Sequence, residues 1–175
     1  MRLAAVWFCA LLALATSASR AGEAGEGSEA VQHLVYVGGG SSVGQPAGER
    51  AHKPFTLGYM RLGAPGQTFF GADVSGEGTM YQNGAPKQGL SLNLLVGRNL
   101  FTWDDFRLDA GLLVGARTKS STCPSYSGQG CFANSESNYD YALNYGAAIS
   151  WSHKRFMLGL RATAVSRQVL LGVRF

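Results

Sequence analysis

Apolar and polar side chains alternate along most of the chain after residue 30. Between residues 106 and 117, for example, Phe106 and Leu108 alternate with Arg107 and Asp109. Successive side chains of a β-strand point to opposite faces, so a period of two indicates strands rather than helices. The pattern predicts eight strands, which we place at residues 31–39, 54–62, 68–75, 90–97, 106–117, 139–151, 156–163 and 167–175.

The predicted connections differ in length. Pro, Gly and small polar residues mark short turns at 63–67, 152–155 and 164–166, with a turn of middling length at 99–105. Longer loops are predicted at residues 40–53, 76–89 and 118–138. Short turns at one rim and long loops at the other are typical of barrels that span a membrane, with the turns on the periplasmic side. An even number of strands then places both termini at the turn side.

Three features predict that the apolar face of these strands points outward, into lipid. Predicted strands two to eight contain no Lys or Glu, because Glu77, Lys87 and Lys119 fall in predicted loops. The polar face is rich in Gly and Ala, which suit the inside of a narrow barrel. Aromatic residues gather near the strand ends, as at two membrane interfaces. They are Phe101, Trp103, Phe106, Trp151, Phe156 and Phe175 on the turn side, and Phe55, Tyr81, Tyr139 and Tyr141 on the loop side. The alternative is a soluble barrel with the apolar face inside.

The chain ends on a strand in which Val169, Leu171, Val173 and Phe175 share one face. This ending resembles the terminal strand of bacterial outer-membrane β-barrels, whose final Phe is part of the signal that the assembly machinery reads. With this terminal strand, eight alternating segments, connections of unequal length and two groups of aromatic residues, the chain resembles the small outer-membrane β-barrel family of the opacity-protein or OmpA-transmembrane-domain type. The resemblance implies an all-β fold, an eight-stranded antiparallel up-and-down transmembrane barrel over residues 31–175, and a bacterial outer-membrane location.

The amino-terminal residues predict export. Residues 1–21 combine Arg2 with an apolar run over residues 3–14, which has the length of a signal-peptide core and is too short to span a membrane. We favour cleavage after Ala21 over cleavage after Ala18, with an amino-terminal membrane anchor as the alternative. Residues 22–30 are small and acidic and predict a disordered leader.

Charge and cysteine content narrow the function further. Lys and Arg number 15 against 11 Asp and Glu, and they are scattered, which argues against nucleic-acid binding. Cys9 lies in the predicted signal, whereas Cys123 and Cys131 lie in one predicted loop of an exported chain and predict a disulfide. A metal site is the alternative, but no His or third Cys lies nearby to complete it.

The inward face of the predicted barrel carries charges of both signs. Because an unpaired charge in a closed interior is costly, these groups should pair. They are Asp73, Arg107, Asp109, Arg117, Asp140, Arg161 and Arg174. We expect Arg117 to lie near Asp140 at the outer mouth, and Arg161 to reach Asn144 and either Asp73 or Asp109. A polar plug is favoured over a narrow ion path, because side chains just fill an eight-stranded barrel.

Catalysis finds little support in the sequence. His33 and His153 are predicted at the turn side, away from the outer leaflet where lipid A would be modified. No Ser–His–acid combination can be recognised around His52. We therefore expect no cofactor and a non-enzymatic surface, structural or adhesin-like role through the loops. The expected partners are outer-membrane lipid and lipopolysaccharide, the assembly machinery, and a host or surface ligand at the loops. The alternatives are a lipid A-modifying deacylase or acyltransferase and a narrow porin-like channel.

Overall fold

The computed structural model describes residues 31–44, 52–82, 85–122 and 138–175, excluding the side chains of residues 121, 122 and 138. Eight strands account for most of them, in agreement with the predicted count. Their bounds are β1 Gln32–Ser42, β2 Phe55–Leu62, β3 Thr68–Gln82, β4 Ala85–Trp103, β5 Phe106–Thr122, β6 Asn138–His153, β7 Phe156–Thr163 and β8 Ser166–Arg174. Among the described residues, no helix is long and apolar enough to cross a membrane.

The strands form a closed up-and-down barrel. Each strand pairs antiparallel with the next, and β1 pairs antiparallel with β8. The β1–β8 pairing that closes the barrel continues to the last residue. The backbone N–H groups of His33 and Phe175 each donate to the other's carbonyl oxygen at 2.8 Å. We call this end of the barrel the turn end, since it holds the turns at residues 63–67, 104–105 and 154–155, and we call the opposite end the loop end.

The two faces of the wall settle which side meets lipid. Leu112 and Leu143 point outward and are 68% and 67% exposed, whereas inward Asn144 and Asp109 are both 0% exposed. Burial of an apolar side chain of this size is worth about 1.5–3 kcal/mol, so a soluble protein would not leave a whole wall of them in water. The barrel therefore spans a membrane, and the soluble alternative is excluded. The aromatic residues assigned to the two rims are likewise exposed at the two ends of this wall.

The prediction of a loop at residues 76–89 was wrong. β3 runs to Gln82 and β4 begins at Ala85, and their pairing resumes at Thr79 and Gln88 after a register shift. Gly76, Gly78 and Gly89 are typical of loops, but here a β-bulge absorbs the irregularity while the ladder continues. The prediction that the strands contain no Lys or Glu was therefore also wrong. Glu77 lies in β3, Lys87 in β4 and Lys119 in β5.

The turn predicted at residues 99–105 is shorter than expected. β4 continues to Trp103, and the turn consists of Asp104 and Asp105, with Asp104 at a φ of 51°. Asp tolerates this left-handed conformation better than most residues. A second register shift, between Asn99 and Phe101, accommodates the longer strand.

The wall is much taller on one side of the barrel than on the other. β3 to β6 contain 15 to 19 residues each, whereas β1, β2, β7 and β8 contain 8 to 11. At the loop end, Tyr81 and Gln82 of β3 also pair in parallel with Ser120 and Ser121 of β5. The loop end thus carries a sheet extension made of β3 to β6.

Candidate functional site

The loop-end half of the lumen is organised around the carboxylate of Glu77. This residue occupies the β3 bulge, where Gly78 has a φ of 72°, and is 0% exposed. Each carboxylate oxygen accepts three hydrogen bonds, so the group is fully satisfied although it is removed from water. Oε1 accepts from Ser91 at 2.7 Å, Asn144 at 2.8 Å and Arg161 Nη2 at 2.9 Å, and Oε2 accepts from Arg161 Nη1 at 2.9 Å, Thr163 at 2.8 Å and Ser166. One β3 side chain therefore ties together β4, β6, β7 and β8.

The guanidinium of Arg161 lies between two carboxylates. Besides Glu77 it contacts Asp73, with Nε 3.2 Å from Oδ2 and Nη2 3.3 Å from Oδ1. Asp73 also accepts from Asn93 at 2.7 Å and from the Tyr36 hydroxyl at 3.2 Å. Because every charged member has partners, the network avoids the cost of an isolated buried charge.

Arg117 supplies further positive charge at this level. Its Nη1 atom lies 3.3 Å from the position that a Cβ on Gly78 would occupy, next to the bulge that carries Glu77. Within the described part of the chain, Arg117 and Asp140 form no hydrogen bond or ion pair. Asp140, which was predicted to belong to the lumen charges, is exposed and accepts from Ser120 at 2.7 Å. A register shift between Thr118 and Ser120 places Asp140 opposite Ser120. Asn144 lies beside Arg161 as expected, because both side chains donate to Oε1 of Glu77, at 2.8 and 2.9 Å, and Asn144 also donates to Asn93 at 2.7 Å.

A second polar cluster closes the turn end. Arg107 donates from Nε to both oxygens of Asp109, at 2.9 and 2.8 Å, and from Nη1 to the Gly63 carbonyl at 2.7 Å. Asn99 donates to Asp109 at 3.2 Å. Arg174 lines the same pocket as Arg107. This cluster is separate from the Glu77 network. The predicted lumen charges therefore do not form one group, and Asp140 belongs to neither cluster.

Apolar side chains fill the space between the two polar clusters. Along β5, for example, inward Leu113 lies between Asp109 and Arg117, and its β4 partner Leu95 is equally buried. The full buried set is Leu34, Tyr36, Met60, Leu62, Phe69, Leu95, Leu113, Met157 and Leu170. Within the described part of the chain, the lumen is therefore a packed core in three layers, as expected of an eight-stranded barrel.

The histidines do not assemble a catalytic site in the described residues. His33 hydrogen-bonds through Nδ1 to the Tyr59 hydroxyl and stacks on Phe175, with ring centroids 6.0 Å apart. His153 stacks on Phe106 at 4.3 Å at the turn end. The carbonyl of His52 accepts from Ser42 at 2.8 Å. Nor do three or more His, Cys, Asp or Glu side chains gather as a metal site in the described ranges.

The predicted assembly signal lies within the described residues, whereas the predicted disulfide, signal peptide and leader do not. Val169, Leu171, Val173 and Phe175 all lie on the outer face of the barrel, with Phe175 70% exposed. Cys123 and Cys131 lie outside the described residues, as do the predicted signal and leader at residues 1–30.

Sequence reasoning missed Glu77, the residue with most partners in the lumen. Its signal was the continued alternation Asp73, Ser75, Glu77 on the inward face of β3. The flanking glycines concealed this alternation, because they favoured a loop. Sequence reasoning also missed the hydroxyl groups that bond to Glu77, because a Ser or Thr side chain is common on either face of a strand. These residues are Ser91, Thr163 and Ser166.

A closed barrel with an apolar outer wall, and with a lumen filled by two polar clusters and an apolar layer, defines this chain as a small transmembrane β-barrel of the outer-membrane type. No protein-family model matches it, and neither does any curated protein. Among solved structures, it matches the backbone structure of the Yersinia pestis outer membrane protein Ail in a phospholipid bilayer nanodisc. That match is 15% identical, covers 83% of this chain and 100% of that chain, and has a TM-score of 0.47. The crystal structure of Ail, the attachment invasion locus protein of Yersinia pestis, in complex with the heparin analogue sucrose octasulfate, also matches. It is 15% identical, with 83% and 97% of the two chains covered and a TM-score of 0.38.

Proposed function

We propose that the protein is a non-enzymatic component of a bacterial outer membrane that acts at the cell surface, in an adhesin-like or structural role, through its loop end. The observation that carries this proposal is the filled lumen. Arg161, Asp73 and Glu77 are 1%, 2% and 0% exposed, and the apolar layer lies beneath them. A barrel plugged in this way offers partners its rims and its lipid-facing wall, and binding residues often lie on loops carried by a rigid scaffold.

We infer the orientation from the start of β1 at Gln32 and the end of β8 at Arg174, which lie at the turn end together with three short turns. In barrels of this type that end is periplasmic, so the loop end faces outward. The sheet extension of β3 to β6 and the connection between β5 and β6 would then stand at the cell surface. Lipid and lipopolysaccharide would surround the apolar wall, and a host or surface ligand would bind at the loop end.

Loop replacement combined with gene deletion tests the proposal. Cells with the wild-type protein, without it, or with residues 124–136 replaced by a Gly-Ser linker of equal length are compared for adherence to host cells and for envelope permeability. Heat-modifiable gel mobility checks that the variant still forms the barrel. We expect deletion to reduce adherence or raise permeability, and loop replacement to reproduce the loss of adherence. An effect of deletion that the loop variant fully rescues would contradict a role for this loop.

Lipid A composition separates this proposal from an enzyme. Mass spectra of lipid A from the same deletion and complemented strains should be identical if the protein is non-enzymatic. A gained or lost acyl chain that depends on the gene would overturn the proposal. Steady single-channel conductance of the purified protein in a planar bilayer would instead support the porin-like alternative.

The carboxy-terminal strand is proposed to carry the assembly signal. Val169, Leu171, Val173 and Phe175 present one continuous apolar face to the outside of the barrel, with exposed fractions of 48% to 70%. This face is available on the last strand before the barrel closes, which suits recognition by the assembly machinery.

Processing of the exported chain completes the proposal. We infer that cleavage after Ala21 produces the mature protein, and amino-terminal sequencing of protein from isolated outer membranes tests this. We also infer that Cys123 and Cys131 form a disulfide. A peptide spanning both residues should then weigh two hydrogens less before reduction than after it.

A further inference from the structure

A small cavity lies at the turn end, next to the polar cluster that contains Arg107. Its volume is about 270 Å³, and its wall is built from the start of β1, the β2–β3 turn, the β4–β5 turn and the end of β8. Pockets that hold drug-sized ligands measure about 300–1,000 Å³, so this one suits a smaller molecule. The wall carries two cationic and two acidic side chains, which are Arg107, Arg174, Asp104 and Asp105.

The two arginines of this cavity have hydrogen-bond donors without an acceptor. Arg107 is 4% exposed and donates from Nε to Asp109 and from Nη1 to the Gly63 carbonyl. Its buried Nη2 atom makes no hydrogen bond within the described part of the chain. Arg174 is half-buried, and its side chain makes no hydrogen bond or ion pair with any residue that the structure describes. Buried polar groups nearly always have a partner, so these donors favour an anionic group as the occupant.

Acceptors line the same cavity nearer its mouth. Asp104 and Asp105 are exposed at the β4–β5 turn. The Oε1 atom of Gln32 is buried and makes no hydrogen bond within the described ranges. These side chains offer oxygen atoms to a cation, and the two carboxylates disfavour a ligand that carries negative charge alone. The arginines likewise disfavour a ligand that carries positive charge alone. The cavity therefore fits a molecule with one group of each sign.

We propose that this cavity binds a small zwitterion whose anionic group and ammonium group are one or two carbon atoms apart. The anion accepts from Arg107 and Arg174, and the ammonium group donates to Gln32, Asp104 or Asp105. Charge-assisted hydrogen bonds of this kind are roughly twice as strong as neutral ones. A free amino acid and the headgroup of an ethanolamine phospholipid both carry this chemistry. The inference does not depend on the proposed surface role and shares with it only the placement of the turn end in the periplasm.

An NMR titration of the full mature chain in a non-ionic detergent tests the proposal. The probes are glycine and phosphoethanolamine, which carry both groups. Acetate, methyl phosphate and methylammonium carry one group each and are the controls, and the buffer contains no carboxylate, phosphate or amine. We expect at least one zwitterion to shift the Nε–H signals of Arg107 and Arg174. It should bind at least about tenfold more tightly than the matching single-group compounds.

Substitutions at the two kinds of charge should separate the two contacts. Arg174→Gln should weaken the binding of glycine and of acetate alike, at least about tenfold. Arg155→Gln is the matched control, because Arg155 is an exposed cation at the same end that does not line the cavity. The double variant Asp104→Asn, Asp105→Asn should weaken the binding of glycine but not of acetate. Asn keeps the turn, because it tolerates the left-handed conformation of residue 104. Heat-modifiable gel mobility checks that each variant forms the barrel.

Nanodiscs of two lipid compositions distinguish the two sources of the ligand. In phosphatidylethanolamine discs, headgroups that occupy the cavity compete with added glycine, whereas phosphatidylglycerol discs supply no ammonium group. Weaker binding of glycine in the phosphatidylethanolamine discs would identify the lipid headgroup as the ligand. Equal binding in the two kinds of disc would identify a free amino acid.

Three results would overturn the proposal. No shift of the arginine signals at millimolar glycine or phosphoethanolamine would mean that the cavity takes no zwitterion. Binding of acetate as tight as that of glycine would show an anion site in which the acidic residues have no role. Equal affinities in Arg174→Gln and Arg155→Gln would place the ligand elsewhere on the protein. None of these results bears on adherence, so the proposed surface function would stand or fall separately.

Discussion

Arg161 reaches across the lumen to Glu77 and donates to its carboxylate from both Nη1 and Nη2, at 2.9 Å each. The two residues are 84 positions apart in the chain and lie on β7 and β3. A paired fork of this kind fixes both distance and orientation. The contact therefore holds two separated parts of the wall at one spacing and seals the lumen at the same time.

Replacing Arg161 should destabilise the barrel strongly. Arg161→Met leaves Asp73 and Glu77 buried without a cation, and breaking a buried pair in this way typically costs about 3–5 kcal/mol. We expect a clearly lower urea midpoint for unfolding from detergent micelles, followed by tryptophan fluorescence. The double variant Arg161→Met with Glu77→Gln should recover part of the loss, because it removes one of the stranded charges.

Arg167 offers a matched control for this substitution. It is exposed on the outer face near the same end of the barrel, so Arg167→Met should move the midpoint little. Equal midpoints for Arg161→Met and the wild-type protein would show that the network contributes nothing to stability. A loss in the double variant equal to the sum of the losses in Arg161→Met and Glu77→Gln would show that the two charges do not act as a pair.

Gly78 in the β3 bulge should tolerate a side chain less well than Gly66 does. Its φ of 72° strains any L-residue, and an added Cβ would lie 3.3 Å from both Arg117 Nη1 and Val165 Cγ2. Gly66 has a similar φ of 74° but open space around it. Gly66→Ala should therefore cost about 1–2 kcal/mol from backbone strain alone, and Gly78→Ala should cost more. Urea unfolding of both variants measures the difference, and equal losses would mean that crowding at the bulge is unimportant.

Alternation alone was enough to sort the side chains of each strand into two faces, because period two places Asp73 and Arg161 on the polar face wherever the strands begin. The glycine-rich polar face and the aromatic residues at the strand ends then predicted that this face points inward. Alternation could not show which inward groups meet, since that depends on how eight strands are staggered around the barrel. Arg117 and Asp140 illustrate the point, because a single register shift at residues 118–120 gave Asp140 a different neighbour. Glu77 was missed because the glycines on either side of it favoured a loop, although the alternation of Asp73 and Ser75 continues to Glu77 in the sequence.

Phe175 should matter for assembly more than for stability. It is 70% exposed at the turn end and Phe156 is 74% exposed, so replacement by Ala removes few contacts at either position apart from the stacking of Phe175 on His33. If Phe175 carries the assembly signal, Phe175→Ala should lower the amount of heat-modifiable protein in outer membranes several-fold. Phe156→Ala should lower it little, and both purified variants should refold in detergent to similar yields. Equal amounts of the two variants in cells would contradict a signal at Phe175.

A lysine scan of the wall should locate the membrane. Leu160 and Leu143 are both exposed on the outer face, at 59% and 67%, so Leu→Lys removes similar contacts at each position. Leu160 pairs with Ile149 near the middle of the β6–β7 ladder, whereas Leu143 lies beyond the end of that ladder at Gly146. A lysine in the lipid midplane costs about 2–4 kcal/mol, and the cost falls to about 0–1 kcal/mol near the interface. Leu160→Lys should therefore lower stability in phospholipid vesicles by about 1–4 kcal/mol more than Leu143→Lys. Equal losses would mean that the hydrocarbon layer extends past the end of the β6–β7 ladder.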